Sequence, residues 1–117
     1  MRDHLLLPEF AVESQRLAMD SYLVRVTGEL DLHTAPQLEN ELETLVRDGA
    51  TYVLLDLRDV PFLDSTGLGV LLVTANRLGK EGLVLTGLCL ESRRVLEITG
   101  ADQLLTVVDG SPSGAAA

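Results

Sequence analysis

From Tyr52 to Leu72 the chain is apolar almost throughout, interrupted chiefly by Asp56, Arg58-Asp59, Pro61 and the polar group Asp64-Ser65-Thr66. The two halves of this stretch have different periods, and that difference constrains the fold more than any other feature. Tyr52 to Leu57 is nearly continuous apolar sequence, which predicts a strand covered on both faces, ending near Asp56 before Pro61 blocks any regular continuation. After the polar group, Leu68, Leu71, Leu72, Ala75 and Leu78 recur at helical spacing, which predicts a helix running to about Lys80. Asp64 or Ser65 can accept hydrogen bonds from the free amides of its first turn, so one of the pair is the expected N-cap. Ser65 is then an exposed hydroxyl at the positive end of a helix.

The flanking sequence continues the alternation. Glu9–Leu17 and Tyr22–Leu30 read as two strands joined by the turn Ala18-Met19-Asp20-Ser21. Thr34, Pro36 and Gln37 form a capping-box start for a helix whose stripe is Leu38, Leu42, Leu45 and Val46 and whose stop is Gly49. Gly79 and Gly82 bracket the turn into a fourth strand, Leu83–Thr86. Glu91–Thr99 follows as a short helix with Val95 and Ile98 inward and Gly100 as its stop, and Leu104–Val108 is a fifth strand. A hairpin followed by alternating helices and strands predicts an α/β fold: a mixed β-sheet of about five strands with helices mostly on one face.

Composition narrows the partners. A chain of 117 residues holds one domain, and at such lengths roughly two thirds of the unfolded surface can be buried. With two Phe, two Tyr and no Trp, the core is aliphatic and no aromatic platform exists for stacking nucleic-acid bases. A net charge of −9 repels phosphate backbones and anionic membranes, so direct nucleic-acid or membrane binding is disfavoured and a protein surface is the expected partner. Cys89 stands alone in an apolar run, where a buried small hydrophobe is expected, and the N-terminus lacks a signal-peptide pattern. No run reaches the roughly 18 apolar residues of a membrane helix. A cytoplasmic chain is expected.

Catalytic readings find little support. His4 and His33 have no Cys or second His at ligand spacing, so neither a metal site nor a bound cofactor is expected. Gly67 and Gly69 lack the Gly-Lys-Ser/Thr ending of a phosphate-binding loop. A hydrolase built on Ser65 needs a base, and for the only imidazole at hand, His33, the sequence supplies Asp31 nearby without fixing it as an orienting group. Asp56 at a strand end suggests a receiver-type phosphoacceptor, yet the sole lysine, Lys80, lies at the far end of a helix. The plain alternative for Ser65 is a helix cap worth about 1 kcal/mol. Against that stand Gly67 and Gly69 in the first turns, each costing about 1 kcal/mol relative to alanine and leaving backbone open to another molecule.

Thr27-Gly28-Glu29-Leu30-Asp31, the helix after Thr34, and Asp64-Ser65-Thr66-Gly67-Leu68-Gly69 together resemble the STAS domain of anti-sigma factor antagonists, over about Glu9 to Val108. The resemblance implies the STAS fold and a non-enzymatic bacterial partner-switching protein. Such a protein binds an anti-sigma factor that is also a serine kinase, releasing the sigma factor. It is switched off when the kinase phosphorylates the serine that maps to Ser65, and a serine phosphatase reverses the modification. Thr66 stands where many relatives have serine, and the sequence after the fifth strand has no apolar face for the final amphipathic helix that relatives carry. A scaffold or accessory subunit of a stressosome-like complex or lipid transporter is the alternative.

The partner surface is expected on Asp31, His33 and Thr34 together with Asp64, Thr66, Gly67, Leu68 and Gly69, because both segments leave strand ends beside one another. The domain is expected to span residues 1–109, with 110–117 a disordered tail.

Overall fold

The first two strands, β1 (Ala11–Ala18) and β2 (Ser21–Thr27), form the expected hairpin in a computed structural model that describes residues 9–108. The turn is two residues tight. Arg16 Nη2 donates to Met19 O at 2.7 Å, and the ladder shifts register between Arg16 and Ala18, so Leu17 is squeezed outward. The turn is tied to the next strand, since Asp20 O accepts from Thr51 N at 2.9 Å.

Helix α1 (Ala35–Arg47) follows, then β3 (Tyr52–Asp59), α2 (Ser65–Leu78), β4 (Leu83–Thr86), α3 (Leu90–Thr99), a 3-10 turn over Ala101–Gln103, and β5 (Thr106–Val108). The strand order is β1-β2-β3-β4-β5, antiparallel in the first pair and parallel in the rest. Each crossover moves one strand in the same direction. Right-handed connections of that kind put all three helices on one face.

The sheet is therefore two-sided. Beneath the helices lie Val24, Val26, Val53, Leu55, Leu57, Leu83 and Leu85, all buried, packed with Leu38, Leu42 and Leu45 of α1 and Leu68, Leu71 and Ala75 of α2. Buried apolar side chains among the described residues are all Leu, Val or Ala, the aliphatic core that the composition requires. The other face is open. It carries the row Leu23–Leu54–Val84, half-buried, and beside it the ionic row Arg25–Asp56, 3.7 Å apart.

Several expectations need correction. β3 is covered on one face only, alternating half-buried and buried along Tyr52–Leu57, because the outward Leu54 and Val84 shield one another across the ladder. It also runs three residues past Asp56, where Thr27 pairs with Asp59. Helix α3 buries Ser92 and Leu96 and packs the half-buried Val95 against the core as expected, but Ile98, expected inward, is 84% exposed. Leu104 lies outside β5 and is exposed, the chain first closing the 3-10 turn. Cys89 is half-buried at the start of α3, with Sγ 3.3 Å from Ser92 Oγ. The disordered tail expected over 110–117, and the stretch expected to lack a final helix, lie outside the described residues.

Candidate functional site

Ser65 sits at the carboxyl edge of the parallel strands, where loops leave the sheet and helices begin. After β3, Val60 and Leu63 turn inward as plugs, while Pro61 and Phe62 stay outside. Leu63 pairs with Leu30 as an isolated parallel bridge, Leu30 N donates to Phe62 O at 2.9 Å, and Asp64 N donates to Leu30 O at 3.1 Å. The loop after β2 and the loop after β3 are thus bonded side by side. The two segments expected to form one surface do lie together.

The cap of α2 is Asp64. Its backbone is extended, with φ −98° and ψ −175°, and its Oδ1 accepts from Gly67 N at 2.9 Å. Ser65 is the first helical residue and exposed, so its hydroxyl is not consumed by the cap. Thr66 is half-buried. The second oxygen of Asp64, Oδ2, reaches the other loop and accepts from Leu32 N at 3.2 Å.

That loop is organised by Asp31 and Thr34. Asp31 Oδ1 accepts from His33 N at 2.9 Å and Thr34 N at 3.1 Å, a turn closed on its own side chain. Thr34 does not act as the capping-box acceptor. Its Oγ1 donates to Glu29 O at 2.7 Å and accepts from Asp31 N at 2.9 Å, while Gln37 N bonds Thr34 O. Helix α1 starts instead on Pro36, whose fixed φ suits the first turn. Partial desolvation pushes the Asp31 carboxyl up, but the His33 and Thr34 amides, the Thr34 hydroxyl and the nearby His33 together outweigh it and hold its pKa below the ordinary 3.8.

Gly67 and Leu68 are buried, and their side-chain positions face the core rather than a partner. A Cβ on Gly67 would lie 2.8 Å from Leu30 Cγ, 2.8 Å from Leu63 Cδ1 and 2.9 Å from Leu30 O. This glycine lets the two loops close on the helix, an intramolecular role. Gly69 differs: a Cβ there meets nothing within 4 Å, so it keeps an open helix surface. Two exposed apolar residues on the same pair of loops are absent from the expected surface. Leu32 is 64% exposed and Phe62 is 50% exposed, and neither follows a helix or strand period that would mark it in the sequence.

Among the described residues no hydrogen bond joins His33 to Ser65, and no cluster of three His, Cys, Asp or Glu is arranged to hold a metal ion. Asp56 lies on the open sheet face between Arg25 and Arg58, at 3.7 and 3.9 Å, not at a strand exit. No described helix is long and apolar enough to cross a membrane.

A mixed five-stranded sheet with its helices on one face is the architecture of the STAS class. The chain belongs to the STAS domain family, whose profile matches residues 11–112. It is 37% identical over 92 residues to a protein of Staphylococcus aureus named anti-sigma-B factor antagonist, covering 77% of this chain and 85% of that one. An anti-sigma factor antagonist from Mycobacterium paratuberculosis shares the fold with a TM-score of 0.77 and 30% identity, covering 92% of each chain. SpoIIAA, an anti-sigma factor antagonist solved in its unphosphorylated form, superposes with a TM-score of 0.75 at 21% identity, covering 91% of this chain and 93% of that one. At that identity the likeness is one of fold.

Proposed function

We propose that this chain is an anti-sigma factor antagonist: a non-enzymatic binding protein that sequesters an anti-sigma serine kinase and loses its grip when that kinase phosphorylates Ser65. The observation that carries the reading is Ser65 itself, exposed in the first turn of a helix whose cap is supplied by its neighbour. A kinase can reach the hydroxyl without undoing the fold. The relatives named as antagonists, at 37% and 30% identity, supply the partner class.

Phosphorylation adds about −1.5 to −2 charges beside Asp64 and near Asp31. The helix dipole offsets only about 0.3 to 1 kcal/mol of that. A phosphate enclosed unpaired in an interface costs several kcal/mol, and each ~1.4 kcal/mol is tenfold in affinity, so a switch of roughly a hundredfold or more needs no conformational motor. A serine phosphatase resets it.

The test is to incubate the protein with candidate ATP-dependent anti-sigma kinases, locate phosphate by mass spectrometry, and titrate both forms against the kinase by calorimetry. Phosphate on Ser65 and a large affinity loss are expected, with Ser65→Ala binding but never released. Because Asp64 holds the cap, Ser65→Ala changes stability by less than about 0.5 kcal/mol. Equal affinity of the two forms refutes partner switching and leaves a scaffold or accessory subunit of a stressosome-like complex or lipid transporter.

A further inference from the structure

The loop after β2 has a root bonded to the neighbouring loop and a tip closed on the Asp31 side chain, within which the Leu32 amide reaches outside the loop for its partner. Its root is bonded backbone to backbone, through Leu30 N to Phe62 O and Asp64 N to Leu30 O, and would stay in place whatever side chain stood at residue 64. Its tip, Leu32, is different: the amide donates to Asp64 Oδ2 at 3.2 Å, while the side chain is 64% exposed. One carboxylate therefore caps α2 with one oxygen and holds the tip of the neighbouring loop with the other. An exposed leucine whose backbone is fixed loses little freedom on binding, which is what a binding anchor requires.

We propose that Asp64 is a positioning residue, a two-ended clamp that presents Leu32 as an apolar anchor beside Ser65 for the kinase partner. The proposal rests on the partner-switching reading above and adds what makes the unmodified surface bind. The partner surface it fits is an apolar recess for Leu32, rimmed by cationic groups that meet the Asp31 and Asp64 carboxylates. Charge complementarity with a chain of net charge −9 favours that rim.

Chemistry separates the two functions of the clamp. In Asp64→Asn the amide oxygen still caps α2, since asparagine is as good an N-cap as aspartate, but its NH2 group cannot accept from Leu32 N. Amide exchange followed by NMR on the free protein should show Leu32 exchanging roughly fivefold faster, with Gly67 unchanged. Titration with the kinase that labels Ser65 should show roughly tenfold weaker binding for Asp64→Asn and for Leu32→Ala, both with wild-type melting temperatures within a few degrees. Unchanged Leu32 exchange in Asp64→Asn overturns the clamp, and wild-type affinity in Leu32→Ala overturns the anchor. If the wild-type protein binds no such kinase, the partner-switching reading fails and the anchor with it; the exchange measurement, made without a partner, still decides the clamp.

Discussion

Two glycines two positions apart, on opposite sides of the same helix, should respond to alanine with opposite signs. Gly67→Ala and Gly69→Ala each gain about 1 kcal/mol of helix propensity, because alanine loses less backbone freedom than glycine. At Gly69 nothing stands against that gain, since the new methyl meets no atom within 4 Å. At Gly67 the methyl would sit 2.8 Å from Leu30 Cγ and Leu63 Cδ1 and 2.9 Å from Leu30 O. Leu30 is 0% exposed and Leu63 4%, so neither side chain has room to swing away, and the carbonyl is already the acceptor for Asp64 N. Overpacking of this kind costs about 1–3 kcal/mol and sometimes more, and the backbone contact puts Gly67 at the upper end. Net destabilisation of about 1–2 kcal/mol is expected for Gly67→Ala, against stabilisation of about 0.5–1 kcal/mol for Gly69→Ala. Urea titration and thermal melting monitored by circular dichroism read both, each kcal/mol moving the midpoint by roughly 4 °C or more in a domain this size. If Gly67→Ala is as stable as Gly69→Ala, the loops do not close on the helix as described.

Further expectations concern α3 and the Asp31 turn. Leu96→Ala should lose about 2–5 kcal/mol in urea unfolding, as buried leucines do, while Ile98→Ala should stay within about 0.5 kcal/mol; the reverse order would mean that α3 is rotated on the sheet. Because the folded Asp31 pKa is held below 3.8, its carboxylate contributes stability above the unfolded value that is lost as pH falls through the folded one. The stability difference between wild type and Asp31→Asn should therefore be flat near neutral pH and shrink below about pH 4, and a difference that stays constant down to pH 2 would remove the Asp31 turn from the account.

Local features carried the element order because each is written in a few neighbouring residues: Pro36 opening α1, Gly49 with φ +100° closing it, the leucine stripes of α1 and α2. What failed depended on partners distant in sequence. A glycine in a helix reads the same whether its open side faces solvent or Leu30, thirty-seven positions earlier, so Gly67 passed for a docking glycine. Val95 and Ile98 and the pair Ser92 and Leu96 are both helical spacings. Only packing against residues distant in sequence chooses between them, and it buries Ser92 and Leu96 fully, Val95 partly and Ile98 hardly at all. The run Tyr52–Leu57 looked doubly covered since its outward residues are apolar too, a property of an open sheet face that no single strand reveals. At the site, Ser65 was recognisable from its setting between strand and helix, whereas the division of labour between Asp64 and Ser65 turned on backbone geometry, and Leu32 and Phe62 on loop positions without a period.

The strictly sequential strand order has a bearing on how the protein is made. Every strand pairs with the one synthesised just before it, and none has to be inserted later between two already in place. As the chain leaves the ribosome the hairpin can form first and each helix-strand unit can then dock on the growing edge, so loop closures stay short and exposed edges are brief. The loop that carries Ser65 is bounded by β3 and α2, so it is complete before β5 docks on the sheet edge. The surface around Ser65 thus does not wait for the strand that is added after it.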